Sequence, residues 1–253
     1  PYLTPGAILV SAAKGLELES WKRMSEVIAE EIPGSTGRIA VLSGPNHAEE
    51  VGRGVPSATV VASDSPDAAR EVREAFGSLS FRVYTSPDLV GVELGGAFKN
   101  IIALACGIAE GLGLGDNTRA ALMTRGLAEV ARLGVAMGGR AETFAGLSGV
   151  GDLIVTCTSG FSRNRRAGVA IGRGRSLAET LEETRMVVEG VFATQAARAL
   201  SELYQVEMPI ARETYAVLFE GKNPQAAVRD LMIRPPADEI TWLEEVPPAR
   251  RPS

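Results

Sequence analysis

Glu93-Leu94-Gly95-Gly96-Ala97-Phe98-Lys99-Asn100-Ile101-Ile102-Ala103-Leu104-Ala105-Cys106-Gly107-Ile108-Ala109-Glu110 is apolar on nearly every face of a helix. A helix that lacks a polar face is covered on all sides, so this stretch predicts a buried central helix. Lys99 and Asn100 lie within it, where an unpaired charge is costly. Side chains on a helix lean toward its N-terminus, which places Lys99 over the turn holding Gly95 and Gly96. Each of those glycines costs about 1 kcal/mol relative to alanine in a helix interior, and together they suggest room for a ligand beside the ammonium. The competing reading is a lysine that snorkels to the surface or pairs with Glu93. Composition alone leaves the two readings even.

On the N-terminal side the pattern changes. Ile8–Ala12, Ile39–Leu42, Ala58–Ala62 and Phe81–Tyr84 are short apolar runs bounded by turn residues, which read as buried strands. Between them Trp21, Met24, Val27, Ile28 and Ile32 recur at helical spacing, and Pro66 opens a second helix that runs to about Gly77. Strands alternating with helices predict a mostly parallel, Rossmann-like sheet covered on both faces. Beyond Ser86-Pro87-Asp88 only helical periodicities continue. The expected organisation is an α/β part over 1–86, an all-helical part over 87–234, and a loosely ordered Pro-, Glu- and Arg-rich tail over 235–253.

Composition excludes several classes. The chain of 253 residues is 45% apolar and 23% charged with a net charge of −5, which argues against nucleic acid as the main partner. No apolar run reaches the roughly 20 residues that span a bilayer, and the first residues carry no basic-then-apolar pattern, so secretion is not expected. Cys106 and Cys157 are too few for a disulfide framework and read as small buried residues in a reducing compartment. One histidine and two separated cysteines offer no metal site of usual spacing.

A second polar constellation runs from Gly149-Val150-Gly151-Asp152 through Thr156-Cys157-Thr158-Ser159 to Ser162-Arg163-Asn164-Arg165-Arg166. Three guanidinium groups beside Ser and Asn suit a phosphate, and a helix starting near Ser162 would add free N–H groups. Asp152 supplies a carboxylate suited to a substrate hydroxyl or an ammonium. A solvated basic helix start is the competing reading. Gly111-Leu112-Gly113-Leu114-Gly115 and Gly149-Val150-Gly151 are not dinucleotide fingerprints, because no strand precedes the first and no acidic residue closes a βαβ unit after either. Gly111–Gly115 reads instead as a helix end, with Asp116-Asn117-Thr118 capping the next helix. Lys14 and the loop Ser43-Gly44-Pro45-Asn46-His47-Ala48 follow two strands, on the rim where doubly wound sheets bind ligands. His47 is kept as an alternative acid.

These segments, in order, resemble those of bacterial glycerol-3-phosphate dehydrogenases. The resemblance rests on Ser11–Glu17, Leu42–Val51, Glu93–Asn100, Gly113–Ala121, Gly151–Leu153, Cys157–Ser159, Ser162–Arg166 and Val187–Gly190. It extends over about residues 3–234. It implies a Rossmann domain followed by a helical domain, and NAD- or NADP-dependent interconversion of dihydroxyacetone phosphate and sn-glycerol 3-phosphate for phospholipid synthesis. By the same resemblance Lys99 is the acid/base. Lys14, Gly44, Asn46, Asp152, Ser162, Arg163 and Asn164 line the substrate, and Lys14, Ala48, Arg163, Val187 and Glu189 contact the cofactor. A cytoplasmic enzyme taking a small phosphate substrate is expected, and a homodimer is compatible with it. Asn46 stands where the family usually has Ser or Thr. The family's first glycine-rich turn is not found in the sequence, so the chain reads as a fragment that would bind the nucleotide poorly by itself. The alternatives are a related hydroxyacid dehydrogenase and a non-catalytic homologue.

Overall fold

The computed structural model describes residues 3–184 and 187–235. The tail expected from 235 onward, with Trp242, therefore lies almost wholly outside the described residues. Four strands form one sheet in the order β1 (Leu9–Ser11), β2 (Ile39–Ser43), β3 (Ser57–Ala62), β4 (Phe81–Ser86). β1 and β2 are parallel, as are β3 and β4, but β2 and β3 run antiparallel, with Val41 opposite Ala62 and Ser43 opposite Val60. The sheet is thus mixed rather than uniformly parallel. The connections explain why. α1 (Met24–Glu31) and α3 (Pro66–Phe76) carry the chain back along the sheet, as a parallel crossover requires. Only the single turn α2 (Ala48–Val51) lies between β2 and β3, so the chain turns round at one rim. That rim therefore collects the ends of β1 and β2 and the start of β3.

Both faces are covered at β2 and over most of β3, but at the edge strand β4 only Val83 is buried, so the expected cover on both faces stops short of that edge. Ala40, Leu42, Val61 and Val83 pack on Ala69 and Val72 of α3, while Val41, Val60 and Ala62 pack on Leu89 and Val92 of the next helix. Every residue of β2 is buried, which accounts for its unbroken apolar run. Trp21 is not part of α1, contrary to its helical spacing. It sits in a tight turn at φ 57°, and the helix starts at Met24.

Beyond β4 the chain is helical. α4 (Leu89–Gly111) is the central rod, with 20 of its 23 residues buried. Its N-terminus is capped by Asp88, whose Oδ1 accepts from Gly91 N at 2.9 Å. By length and hydropathy α4 could cross a membrane, which corrects the reading of the apolar runs, but it is wrapped by protein on all sides. Around it stand α5 (Asp116–Ala136), α6 (Ala141–Phe144), a π turn (Leu147–Gly151), α7 (Asp152–Thr158), α8 (Arg163–Gly172), α9 (Leu177–Glu183), α10 (Glu189–Leu203), α11 (Pro209–Phe219) and α12 (Pro224–Met232). α5 is preceded by Gly115 as N-cap, and Asp116 pairs with Arg119 instead of capping. Leu94, Phe98, Ile101 and Ile102 of α4 form the main core with Val130, Leu133, Phe144 and Leu153. α8 crosses α4 at backbone contact. A Cβ on Gly107 would meet Arg165 O at 2.2 Å, and one on Gly168 would meet Leu104 O at 2.2 Å.

Candidate active site

The rim of the sheet meets α4 and α7 at a buried charge cluster. Lys14, three residues past β1, donates from Nζ to Gly44 O and to Asn46 Oδ1, each at 2.9 Å. Gly44 occupies φ +148°, and a Cβ there would crowd Thr59 at 3.1 Å, so glycine lets the loop turn tightly against β3. Asn46 is oriented from its other end, donating from Nδ2 to Thr59 Oγ1 at 3.1 Å. Lys14 Nζ also lies 2.8 Å from Asp152 Oδ2. That contact is a charge pair without hydrogen-bond alignment, and Oδ2 has no other donor in the described residues.

Lys99 approaches the same carboxylate from α4. Its ammonium donates to Asp152 Oδ1 and, at 2.6 Å, to Thr156 Oγ1. An ammonium has three donors, so among the described residues one N–H is left for a ligand. Thr156 Oγ1 donates in turn to the Asp152 carbonyl at 2.6 Å. Burial pushes the Lys99 pKa down to about 8; Asp152 opposes that shift and Lys14 adds to it. Two ammonium groups share one carboxylate, and the excess positive charge suits an anion.

Asp152 reaches this position through the π turn, which packs directly on α4. A side chain at Gly95 would meet Ser148 O at 2.9 Å, and one at Gly96 would meet Ser43 Oγ at 2.7 Å. The two glycines thus admit protein atoms, not the ligand space that the sequence suggests. Glu93, the expected structural partner of Lys99, is instead bound to Arg23 and Ser25.

A second cluster adjoins the first. α8 does begin at Arg163, with Ser162 as its N-cap accepting from Arg165 N at 3.2 Å. Asn164 donates to Asn100 Oδ1 and accepts from Gly190 N, both at 2.8 Å. Asn100 Nδ2 donates to Glu189 Oε2 at 3.2 Å and reaches Lys14 O at 3.5 Å, which joins the two clusters. The three arginines separate. Arg165 is sealed to Glu110 through two bonds of 2.9 and 2.7 Å, Arg166 is exposed, and Arg163 faces Glu189 at 3.7 Å with donors to spare. The expected three-guanidinium phosphate site therefore reduces to Arg163 and the start of α8, because Arg165 is turned toward α4.

Ala48 and Val187 are exposed and share no hydrogen bond with these clusters. His47 precedes α2, and its ring lies 6.2 Å from that of Phe161. Among the described residues its Nε2 is buried without a partner, and it has no bond to either lysine. Thr156, Asn100 and Thr59 are site members to which sequence reasoning assigned no role. The i, i+4 spacing of Asp152 and Thr156 was the available signal for the first. Among the described residues no strand leads through a glycine-rich turn into a helix of the pyrophosphate-binding kind. Beside these clusters Arg163 and Glu189 are about one-third exposed, and Val187 is 58% exposed. No group of three or more potential metal ligands gathers among the described residues.

Comparison with known proteins agrees over most of the chain. The family described as NAD-dependent glycerol-3-phosphate dehydrogenase C-terminus matches residues 88–229, and the corresponding N-terminus family matches residues 1–69. A glycerol-3-phosphate dehydrogenase [NAD(P)+] of Pelotomaculum thermopropionicum is 62% identical over 97% of this chain and 70% of its own length. One from Moorella thermoacetica is 59% identical over 95% of this chain and 71% of its own length. Among solved structures, glycerol-3-phosphate dehydrogenase from Coxiella burnetii superposes with a TM-score of 0.84 at 41% identity, covering 90% of this chain and 69% of that one.

Proposed function

The chain belongs to the NAD-dependent glycerol-3-phosphate dehydrogenase family, and from that premise we propose how its residues divide the work of interconverting dihydroxyacetone phosphate and sn-glycerol 3-phosphate. The enzyme is an oxidoreductase that uses NAD or NADP. Its product supplies the synthesis of glycerophospholipids.

The observation that carries the assignment is the Lys99 ammonium. It is buried, has a pKa lowered to about 8, and is fixed by Asp152 and Thr156 with one N–H unspent. In reduction Lys99 gives its proton to the carbonyl oxygen as that oxygen becomes an alcohol, and in oxidation it takes the proton back. Before transfer the ammonium stabilises negative charge developing on that oxygen. Asp152 holds Lys99 and Lys14 on opposite oxygens of one carboxylate, and its Oδ2 has a lone pair without an aligned donor. Lys14 and Asn46 line the substrate from the sheet rim, with Gly44 giving the loop its close approach. Arg163, Ser162 and Asn164 hold the phosphate at the start of α8, where free N–H groups favour an anion. A nicotinamide cofactor supplies the hydride when bound, and Lys14, Ala48, Arg163, Val187 and Glu189 would hold it.

The division of the chain into a dinucleotide-binding part over 1–86 and a substrate part over 87–234 follows the change from sheet to helices after β4. A cytoplasmic location and a homodimeric assembly complete the proposal. Oxidation of NADH or NADPH by the full-length protein, followed at 340 nm, tests the activity directly. Turnover with dihydroxyacetone phosphate and none with 2-keto acids is expected. Turnover with keto acids alone would transfer the chain to the hydroxyacid dehydrogenases. No turnover with either would favour a non-catalytic homologue.

A further inference from the structure

The segment after Lys14 is closed on itself. Leu16 pairs with Arg23 as an isolated bridge, and Glu17 N donates to Lys22 O at 2.9 Å. The Glu17 carboxylate braces the turn by accepting from Ser20 N at 2.7 Å and from Ser20 Oγ at 2.6 Å. Within the turn Trp21 takes φ 57°, a conformation that a bulky residue keeps only where its surroundings enforce it. Leu16 and Trp21 both pack against the core that contains Leu94 and Phe98 of α4. This small hairpin is therefore docked on α4.

Its foot is pinned by a buried ion pair. Arg23 Nη1 donates to Glu93 Oε2 at 2.8 Å, with Arg23 8% and Glu93 7% exposed. Ser25 adds two more donors to the same carboxylate, its N at 2.9 Å and its Oγ at 2.6 Å. Burial raises the pKa of Glu93, opposed by Ser25 and Arg23. A buried ion pair of this kind adds little net stability over well-packed apolar residues. It does fix register, since a charged group buried this deeply accepts few alternative placements. Glu93 stands six residues before Lys99 on one rigid helix, and Leu16, bridged to Arg23, stands two residues after Lys14.

We propose that the Arg23–Glu93 pair is a positioning device that sets the place of Lys14 relative to Lys99, so that both ammonium groups meet on Asp152. The proposal rests on the reading of Lys14 as a substrate contact. Arg23 and Glu93 touch no reacting atom and act through Lys14.

Four versions of the full-length protein test it: wild type, Glu93→Gln, Lys14→Met and the double variant, with steady-state kinetics and thermal unfolding measured for each. Glu93→Gln keeps the shape and one acceptor for Ser25 but removes the buried charge facing Arg23 Nη1, while Glu26 Oε1 still faces Nη2 at 3.0 Å. It is expected to raise KM for dihydroxyacetone phosphate about tenfold, with kcat changed less. In the Lys14→Met background the same substitution should leave KM where Lys14→Met alone puts it, because the device has lost what it positions. An effect that multiplies fully on top of Lys14→Met would make the pair merely structural and overturn the proposal. If Lys14→Met itself leaves KM unchanged, the reading of Lys14 fails, and the proposal with it. Should Glu93→Gln fail to fold, Ser25→Ala removes only one hydroxyl from the same carboxylate. It should then show the same non-additivity at smaller amplitude, and additivity there would equally overturn the proposal.

Discussion

Lys99 of α4 and Asp152 of α7 meet as ammonium and carboxylate where the two helices join the sheet rim, with only 5% and 1% of their surfaces exposed. Neither charge is tolerable there alone, and each accounts for the burial of the other. Asp152→Ala would strand the Lys99 charge in the interior. Unfolding by urea should show a loss of about 3–5 kcal/mol, the usual cost of removing one partner of a buried pair. A loss within error of zero would mean that Lys99 finds water or another partner.

Lys99→Met removes the proposed proton donor while roughly keeping the side-chain volume, and Asp152 retains Lys14 as a partner. Turnover should fall by about 10²–10⁴-fold, the range for a positioned acid/base, while urea unfolding stays close to wild type. Near-normal kcat in a folded variant would remove Lys99 from the chemistry.

The pH dependence follows from the Lys99 pKa of about 8, lowered chiefly by burial. In the proposed mechanism reduction needs the ammonium and oxidation needs the amine. The rate of dihydroxyacetone phosphate reduction should therefore fall as pH rises through about 8, and the rate of glycerol 3-phosphate oxidation should rise over the same interval. Two profiles moving in the same direction across that interval would be inconsistent with a single group serving both.

Glu129 links stability to pH. It is 3% exposed on α5, and its carboxylate accepts from Ile210 N at 2.8 Å and Ala211 N at 3.2 Å at the start of α11. Burial raises its pKa from 4.5 to about 7 despite those bonds. A carboxyl with a raised folded-state pKa binds its proton more tightly in the folded chain. Its stabilising contribution is thus complete below about pH 4.5 and is lost as pH rises to about 7, by roughly 3 kcal/mol in all. The stability difference between wild type and Glu129→Gln, from urea midpoints at several pH values, should shift by that amount in favour of the variant. A pH-independent difference would show that Glu129 titrates normally.

Gly107 and Gly168 let α4 and α8 touch backbone to backbone, and Cβ atoms would be only 2.2 Å from carbonyl oxygens there. Gly107→Ala should cost about 1–3 kcal/mol through overpacking, although alanine is the better helix former. A variant as stable as wild type would mean that the two helices part without penalty.

The sequence exposed some of these features more readily than others. The buried character of α4 was legible because eighteen consecutive residues left no polar face to turn outward. β2 and β3 were legible as short apolar runs, since a strand buried on both faces has no alternation to lose, whereas β4 buries only Val83 and its apolar run was not a sign of full burial. The start of α8 at Ser162 was legible from a capping residue followed by polar side chains. The antiparallel β2–β3 pair was not, because direction depends on where a thirteen-residue connection goes and not on its composition. The fate of the arginines was equally hidden. Arg165 binds Glu110 across 55 residues of chain, and nothing local distinguishes it from Arg163.

By itself the sequence determined the four strands, the change to helices after them, the buried helix that carries Lys99, and an ordered set of motifs specific enough to point to one family. These follow from local periodicity and residue type, which are fixed along the chain. Only the tertiary structure decided that Asp152 is shared between Lys14 and Lys99, that Thr156 holds the second ammonium, and that Gly95 and Gly96 serve the approach of the π turn and Ser43 instead of a ligand. A buried charge must take its partner from whatever segment packs beside it, and Lys99 and Asp152 lie 53 residues apart. Side-chain pairing over that separation is set by packing, which is a property of the folded chain.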